Sequence, residues 1–183
     1  MNIAHQVPPL SQHTHIRNKN WKTKTCGIVG LCMISEYFDK KIPREQLLKL
    51  GLKLNFTYKN KEYSAYSPEF GWNNWGLVHL AEKFNFKGIV YDWSIDNDHC
   101  KKLNKKPAFQ KLKNYLKKYP ILASIYLNFN PKKGGHLVVI TGISGTKISY
   151  NDPDSKIKKQ IPKSVPIKKF LTGWKKRIII IHP

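Results

Sequence analysis

The sequence predicts an α+β domain in which an N-terminal helical part, built around one central helix, packs on a C-terminal antiparallel sheet. Three observations carry this expectation. Helix-like patterns fill the first two-thirds of the chain, and β-rich runs fill the last third. The 183 residues suffice for one domain with a substantial core and are too few for two of ordinary size. A hydrophobic content of 40%, with 12% aromatic residues, argues against disorder.

Residues 1–20 read as an extended lead-in, kept from helix by Pro8 and Pro9. Thr25 stands where it can cap a helix running from Cys26 to about Phe38. The first half of that helix is apolar nearly all round, which marks it as the buried central helix. Pro43 opens a short helix through Leu50, and Gly51 stops it. Residues 52–73 are polar and aromatic without clear period and read as a loop or a weak hairpin. Asn74 can cap a helix over "WGLVHLAEKF", and "GIVYDW" reads as a strand. "PAFQKLKNYLKKYP" is an amphipathic helix ended by Pro120. "ILASIYLNF" and "HLVVITGI" are two strands joined by "NPKKGG". "TKISYNDP" follows as a third across Ser144-Gly145, and "KIKKQI" is offered as a fourth. "SVPIKKFL" is one helical turn and "RIIIIH" a closing strand. No repeat or low-complexity stretch interrupts this order, so residues 1–183 are read as a single domain.

The bulk charge is the oddest property. Lys plus Arg is 33 and Asp plus Glu is 11, for a net charge of +22. Such a field attracts polyanions. The lysines are scattered, with clusters at "CKKLNKKP", "SKIKK" and "IKKF", and no nucleic-acid motif accompanies them. Weak, nonspecific polyanion binding is therefore expected, or else only a well-solvated surface. Cys26, Cys32 and Cys100 are odd in number and show no CxxC spacing, which argues against a disulfide framework or a structural zinc. One reactive thiol with two buried bystanders fits a reducing compartment. "MNIAHQVPPLSQ" lacks a basic region followed by an apolar one, and the longest apolar run near a terminus is Ile178–Ile181. The expectation is a cytoplasmic, monomeric protein without a membrane span. No cofactor or metal is expected, since "HTH" at 13–15 lacks a third ligand.

The chemistry starts at "KTKTCGIVGLCM", where a polar segment turns into a buried helix at Cys26. A helix N-terminus favours the thiolate. In "GGHLVVITG", His136 opens a strand directly after Gly134 and Gly135; in "YNDP", Asp152 closes the next one. A short hairpin puts the start of one strand beside the end of the other, so His136 and Asp152 should be neighbours. Asn151 and Asp154 compete for the acidic role. Strand alternation sets Ile148, Tyr150 and Asp152 on one face and Ser149 and Asn151 on the other, and if Ile148 packs inward Asp152 lies on the side of the Cys26 helix. A thiol, an imidazole and a carboxylate in that order can form a thiolate–imidazolium pair with an oriented ring. An oxyanion needs donors: the Cys26 N–H is one, and a side-chain amide upstream, Gln12 or Gln6, is the other. The aromatics of "EFGWNNW" read as core or lid packing, with a substrate groove as the other reading.

"VPPLSQ", "TCG" opening a helix, "GGHLVVITG" and "YNDP" together resemble the double-glycine leader peptidase family, papain-fold cysteine peptidases that process bacteriocin precursors, in its freestanding peptidase-like form. "YPILASI" and "SVPIKKFLTGWKKRIIII" extend the resemblance, which runs from about Val7 to Ile181 and is weakest over 52–73. It implies a papain-like fold, Cys26 as nucleophile, His136 as general base and acid, Asp152 as orienting acid and Gln12 as oxyanion donor. Ile28 departs from the small residue or proline usual after the Cys-Gly, a matter of packing more than of chemistry. The 183 residues hold neither membrane spans nor an ATP-binding domain, so coupled export is not expected of this chain. The substrate class implied is a peptide or protein, cleaved at a peptide or isopeptide bond. An acyl transferase of transglutaminase type would share the triad, and a non-catalytic polyanion-binding module would use the same fold.

Overall fold

The computed structural model of the protein describes residues 2–183. Strand β1 (Asn2–Ala4) is followed by helices α1 (Gln12–His15), α2 (Cys26–Tyr37) and α3 (Arg44–Gly51). Two small antiparallel pairs come next: β2 (Asn55–Tyr58) with β3 (Lys61–Ser64), and β4 (Tyr66–Ser67) with β5 (Gly71–Trp72). Then come α4 (Asn74–Glu82), β6 (Lys87–Asp92), α5 (Lys105–Leu116), β7 (Ile121–Tyr126), β8 (Gly135–Ser144), β9 (Lys147–Asn151), β10 (Pro162–Pro166), α6 (Ile167–Gly173) and β11 (Trp174–His182).

The main sheet has the order β10-β9-β8-β7-β11-β6, wholly antiparallel, and β1 pairs with the far end of β8. Both of its faces are buried. Leu122, Leu137, Val139, Ile179 and Ile181 pack with α2, α3 and α4. Ala123, Ile125, Val138, Ile140, Ile178 and Ile180 pack with α5 and α6. That double burial is why "ILASI" and "RIIII" run apolar without alternation. The fold class is the expected α+β one, with a further layer: α5 and α6 cover the far face of the sheet.

Helix α2 carries buried side chains from Gly27 to Ser35. It sits close on the sheet because Gly30 has no Cβ: one there would stand 2.5 Å from the Leu122 Cδ1 methyl. Several local expectations are corrected. The lead-in is not extended throughout, since Ser11 caps α1 by accepting from the His13 N–H. Thr25 occupies the α2 cap position but makes no capping bond, and its hydroxyl is buried without a partner. Asn73, not Asn74, caps α4, its carboxamide oxygen accepting from the Trp75 and Gly76 N–H groups. "KIKKQI" is a 3-10 turn at Lys158–Gln160, and the strand begins one step later at Pro162. Pro162 has no N–H to give, which an edge strand tolerates. Among the described residues no helix is long and apolar enough to cross a membrane.

Candidate active site

Cys26 is the first residue of α2, half-buried at the floor of a cleft. Burial alone would push its thiol up. A hydrogen bond and charge from His136, and backbone N–H groups of Leu137 and Gly27, outweigh this, so the thiol titrates below its ordinary value. Topology explains the approach. Strand β9 pairs with β8 only from Val139 onward, so the β8 edge at His136 and Leu137 is open. The N-terminus of α2 comes to that open edge.

His136 is 8% exposed. Its Nε2 lies 2.7 Å from Asp152 Oδ1. With Nε2 committed to the carboxylate, Nδ1 is the nitrogen left for the thiol. Burial pulls the imidazole pKa down, but the bonds to Asp152 and Cys26 and their charges raise it to about 10. Asp152 is one residue beyond β9. Continuing the register of Val139 with Asn151 sets Asp152 opposite Val138, a diagonal neighbour of His136. Its Oδ1 also accepts from the Asp154 N–H at 3.0 Å, and its Oδ2 from Lys163 Nζ at 2.6 Å. Burial would raise the carboxyl pKa; His136 and Lys163 hold it well below the usual carboxylate range.

Contrary to the expectation from alternation, Asp152 does not lie on the Cys26 side of the sheet. Ile148 and Tyr150 pack toward α5 and α6, away from the helix that carries Cys26. Asp152 therefore does not reach the site by sharing the Cys26 side of the sheet. It meets His136 at the strand end, and Cys26 meets His136 around the open edge. Asn151 points elsewhere, its Nδ2 donating to the Val7 carbonyl at 3.0 Å.

Gln12 is buried, and its Nε2 donates to Asp154 Oδ1 at 2.6 Å. It is not among the residues lining the cleft, and its Oε1 is buried without a partner. Gln6 is exposed. The structure thus bonds His136 to Asp152, sets the Cys26 thiol and His136 in the same cleft, and ties Gln12 to the same 152–155 turn through Asp154. Lys163 was not foreseen. Its only signal is the strand that carries it, which the sequence predicts over "KIKKQI" and which begins at Pro162. Cys32 is buried in the core, where burial above all pushes its thiol up to about 12.

The cleft holds about 690 Å³. Phe56, Tyr58, Tyr63, Tyr66, Trp72 and Trp75 wall one side, so the aromatics of the 52–75 region serve as groove lining, while Trp72 also belongs to the core. No group of His, Cys, Asp or Glu among the described residues is placed to hold a metal.

A sequence model described as the Peptidase_C39 like family matches residues 4–178. No curated protein matches the sequence significantly. The fold is similar to that of a double glycine motif protease from an AMS/PCAT transporter solved with the leader peptide (18% identity, TM-score 0.62, covering 98% of this chain and 94% of that one). It is similar to a C39-like peptidase from Bacillus anthracis (16%, TM-score 0.68, 100% and 98%). It is also similar to the peptidase domain of Streptococcus ComA, a bi-functional ABC transporter involved in quorum sensing (19%, TM-score 0.59, 88% and 93%).

Proposed function

The chain belongs to the Peptidase_C39-like family, and from that premise we propose that it is a cysteine peptidase that cleaves a peptide or isopeptide bond through Cys26, His136 and Asp152. The observation that carries the reading is the His136 Nε2–Asp152 contact of 2.7 Å behind a thiol of lowered pKa at a helix N-terminus. The Cys26 thiolate attacks the substrate carbonyl. The oxyanion that forms takes the Cys26 N–H, and the second donor assigned is Gln12, which lies outside the cleft lining with its amide bonded to Asp154 and so would have to turn toward the bound substrate. The His136 imidazolium gives its proton to the leaving amine, and an acyl-enzyme remains. Neutral His136 then takes a proton from water, which attacks the thioester and frees Cys26. Asp152 holds the ring throughout by its Nε2. One structural relative is solved with a leader peptide, which supports a peptide as the substrate class here.

Brief treatment with iodoacetamide at about pH 6, well below the ordinary thiol pKa of roughly 8.5, followed by peptide mapping, tests the reading. Cys26 is expected to carry the adduct, and His136→Ala to abolish this low-pH labelling while the far-UV spectrum is kept. Labelling of Cys32 or Cys100 ahead of Cys26 would sink it.

A further inference from the structure

The cleft contains a lysine that the chemistry above does not use. Strands β11 and β7 pair Trp174 with Ile125, and then Arg177 with Ser124, so Lys175 and Lys176 form a bulge with no partners on β7. Lys176 adopts φ 60°, a left-handed backbone that a long side chain rarely takes. Its own side chain leaves the cleft to donate to the Leu103 carbonyl at 2.9 Å. Bulges beside active sites re-aim side chains, and this one turns Lys175 inward. Its ammonium lies over the Tyr126 ring, 4.8 Å from the centroid. It also rests against Gly135, where a Cβ would stand 3.1 Å from Nζ. Gly135 is the residue before His136, and Lys175 lines the same cleft as Cys26 and His136.

This cation is half-buried, and burial first, then the charge of Arg177, lowers its pKa. No carboxylate among the described residues pairs with it. Of the acids lining the cleft, Asp92 is bonded to Arg177 Nε at 2.6 Å, and Glu69 is exposed in the connection between β4 and β5. A strained backbone and a partly desolvated, unpaired charge are together costly arrangements, and such strain gathers where a ligand is clamped.

We infer that Lys175 is a specificity-determining residue that binds a carboxylate of the substrate within the cleft, beside the scissile bond. The inference rests on Cys26 being the nucleophile. The carboxylate has two possible sources, an acidic side chain or a free C-terminus.

The test compares iodoacetate with iodoacetamide as alkylating agents of Cys26. The ratio of their rates in the wild-type protein cancels intrinsic reactivity when set against variants. Lys175→Gln should lower the iodoacetate-to-iodoacetamide ratio by about fivefold, the scale of one partly exposed ion pair. Lys175→Glu should lower it further, and Lys175→Arg should retain it. A ratio that stays within about twofold in both Lys175→Gln and Lys175→Glu overturns the inference and leaves the peptidase reading standing. Failure of Cys26 to react ahead of the other thiols in the wild type removes that reading, and the inference with it. Pools of synthetic decapeptides, with Glu or Gln at each position and a free or amidated C-terminus, then separate the sources. Loss of cleavage on Glu→Gln exchange marks an acidic side chain, and loss on amidation marks a terminal carboxylate. Cleavage indifferent to both overturns the inference.

Discussion

Replacing Asp152 by Asn removes one charge and nearly no volume, so its effect isolates what the carboxylate does to His136. In the wild type the imidazolium persists to about pH 10, with the Asp152 hydrogen bond the largest influence raising it. An opposite charge at hydrogen-bonding distance moves a titration by roughly 1–3 pH units. Here the carboxylate is shared with Lys163 at 2.6 Å, so the lower part of that range applies, about 1–2. The alkaline limb of kcat/KM should therefore fall from about pH 10 to roughly 8–9. The ion pair weakens by about 1.4–2.7 kcal/mol, which is about tenfold to a hundredfold in rate where pair formation limits. The stability signature has a sign of its own. Asp152, lowered on folding, contributes above the unfolded carboxyl value of about 4 and loses that contribution as pH falls through its folded value. His136, raised on folding, contributes below about 6.5 and loses that contribution as pH rises toward about 10. The Tm difference between wild type and Asp152→Asn should thus peak between about pH 4 and 6.5. Asn151→Ala is the control. It loses the buried bond to the Val7 carbonyl and about 1–3 kcal/mol of stability, with no change in the pH profile. A limb that stays in place in Asp152→Asn, or moves in Asn151→Ala instead, would refute the reasoning.

Three further outcomes are expected. Lys163→Met should raise the pH at which the His136 ring titrates, by up to about one unit since Lys163 is 35% exposed; a ring that titrates lower, followed by 15N NMR, contradicts this. Asp154→Ala frees the Gln12 amide and should reduce kcat/KM about tenfold while Cys26 alkylation keeps its rate, because alkylation forms no oxyanion; a parallel loss of alkylation would mean that Asp154 serves the thiol instead. Double-stranded DNA should bind weakly and without sequence preference, and be released by moderate salt in a fluorescence titration; sequence-selective binding that survives high salt would favour a binding module.

How much of this was legible in sequence depends on how local each feature is. The hairpin of β8 and β9 was legible because Gly145, at φ 54°, supplies the left-handed residue a two-residue turn needs between Ser144 and Lys147. Helix α2 was legible from its unbroken apolar run, and its start at Cys26 from the polar residues before it. What was not legible depends on non-local packing. The faces of β9 could not be assigned from alternation, because both faces are buried and Ile148 has an inward side either way. Lys163 was missed because Ile161, fully buried, anchors the chain just before the strand and shifts it past "KIKKQI". The Lys175 bulge leaves no trace in composition, since two lysines in a basic chain look like surface. The cap on α4 shifted by one residue between two adjacent asparagines of equal propensity.

The 152–155 turn ties the two parts of the proposed machinery together. Asp152 at its start is bonded to His136 and also accepts from the Asp154 N–H. Pro153 accepts from the Gln12 N–H at 2.8 Å, Asp154 from the Gln12 amide at 2.6 Å, and the Ser155 carbonyl from the Ser11 hydroxyl at 2.6 Å. The lead-in is therefore docked, residue by residue, onto the turn whose first residue, Asp152, is bonded to His136. That docking has a cost, visible in the buried, unpartnered Gln12 Oε1, about 1–3 kcal/mol for such a group. Flipping the amide would not relieve it, because the oxygen would then face the Asp154 carboxylate. One Nε2 hydrogen goes to Asp154, and the second is held in a fixed direction. A donor acts without reorganisation only where its orientation already faces the developing charge, and Gln12 lies outside the cleft lining, so release of its amide from Asp154 is the step that the Asp154→Ala variant probes.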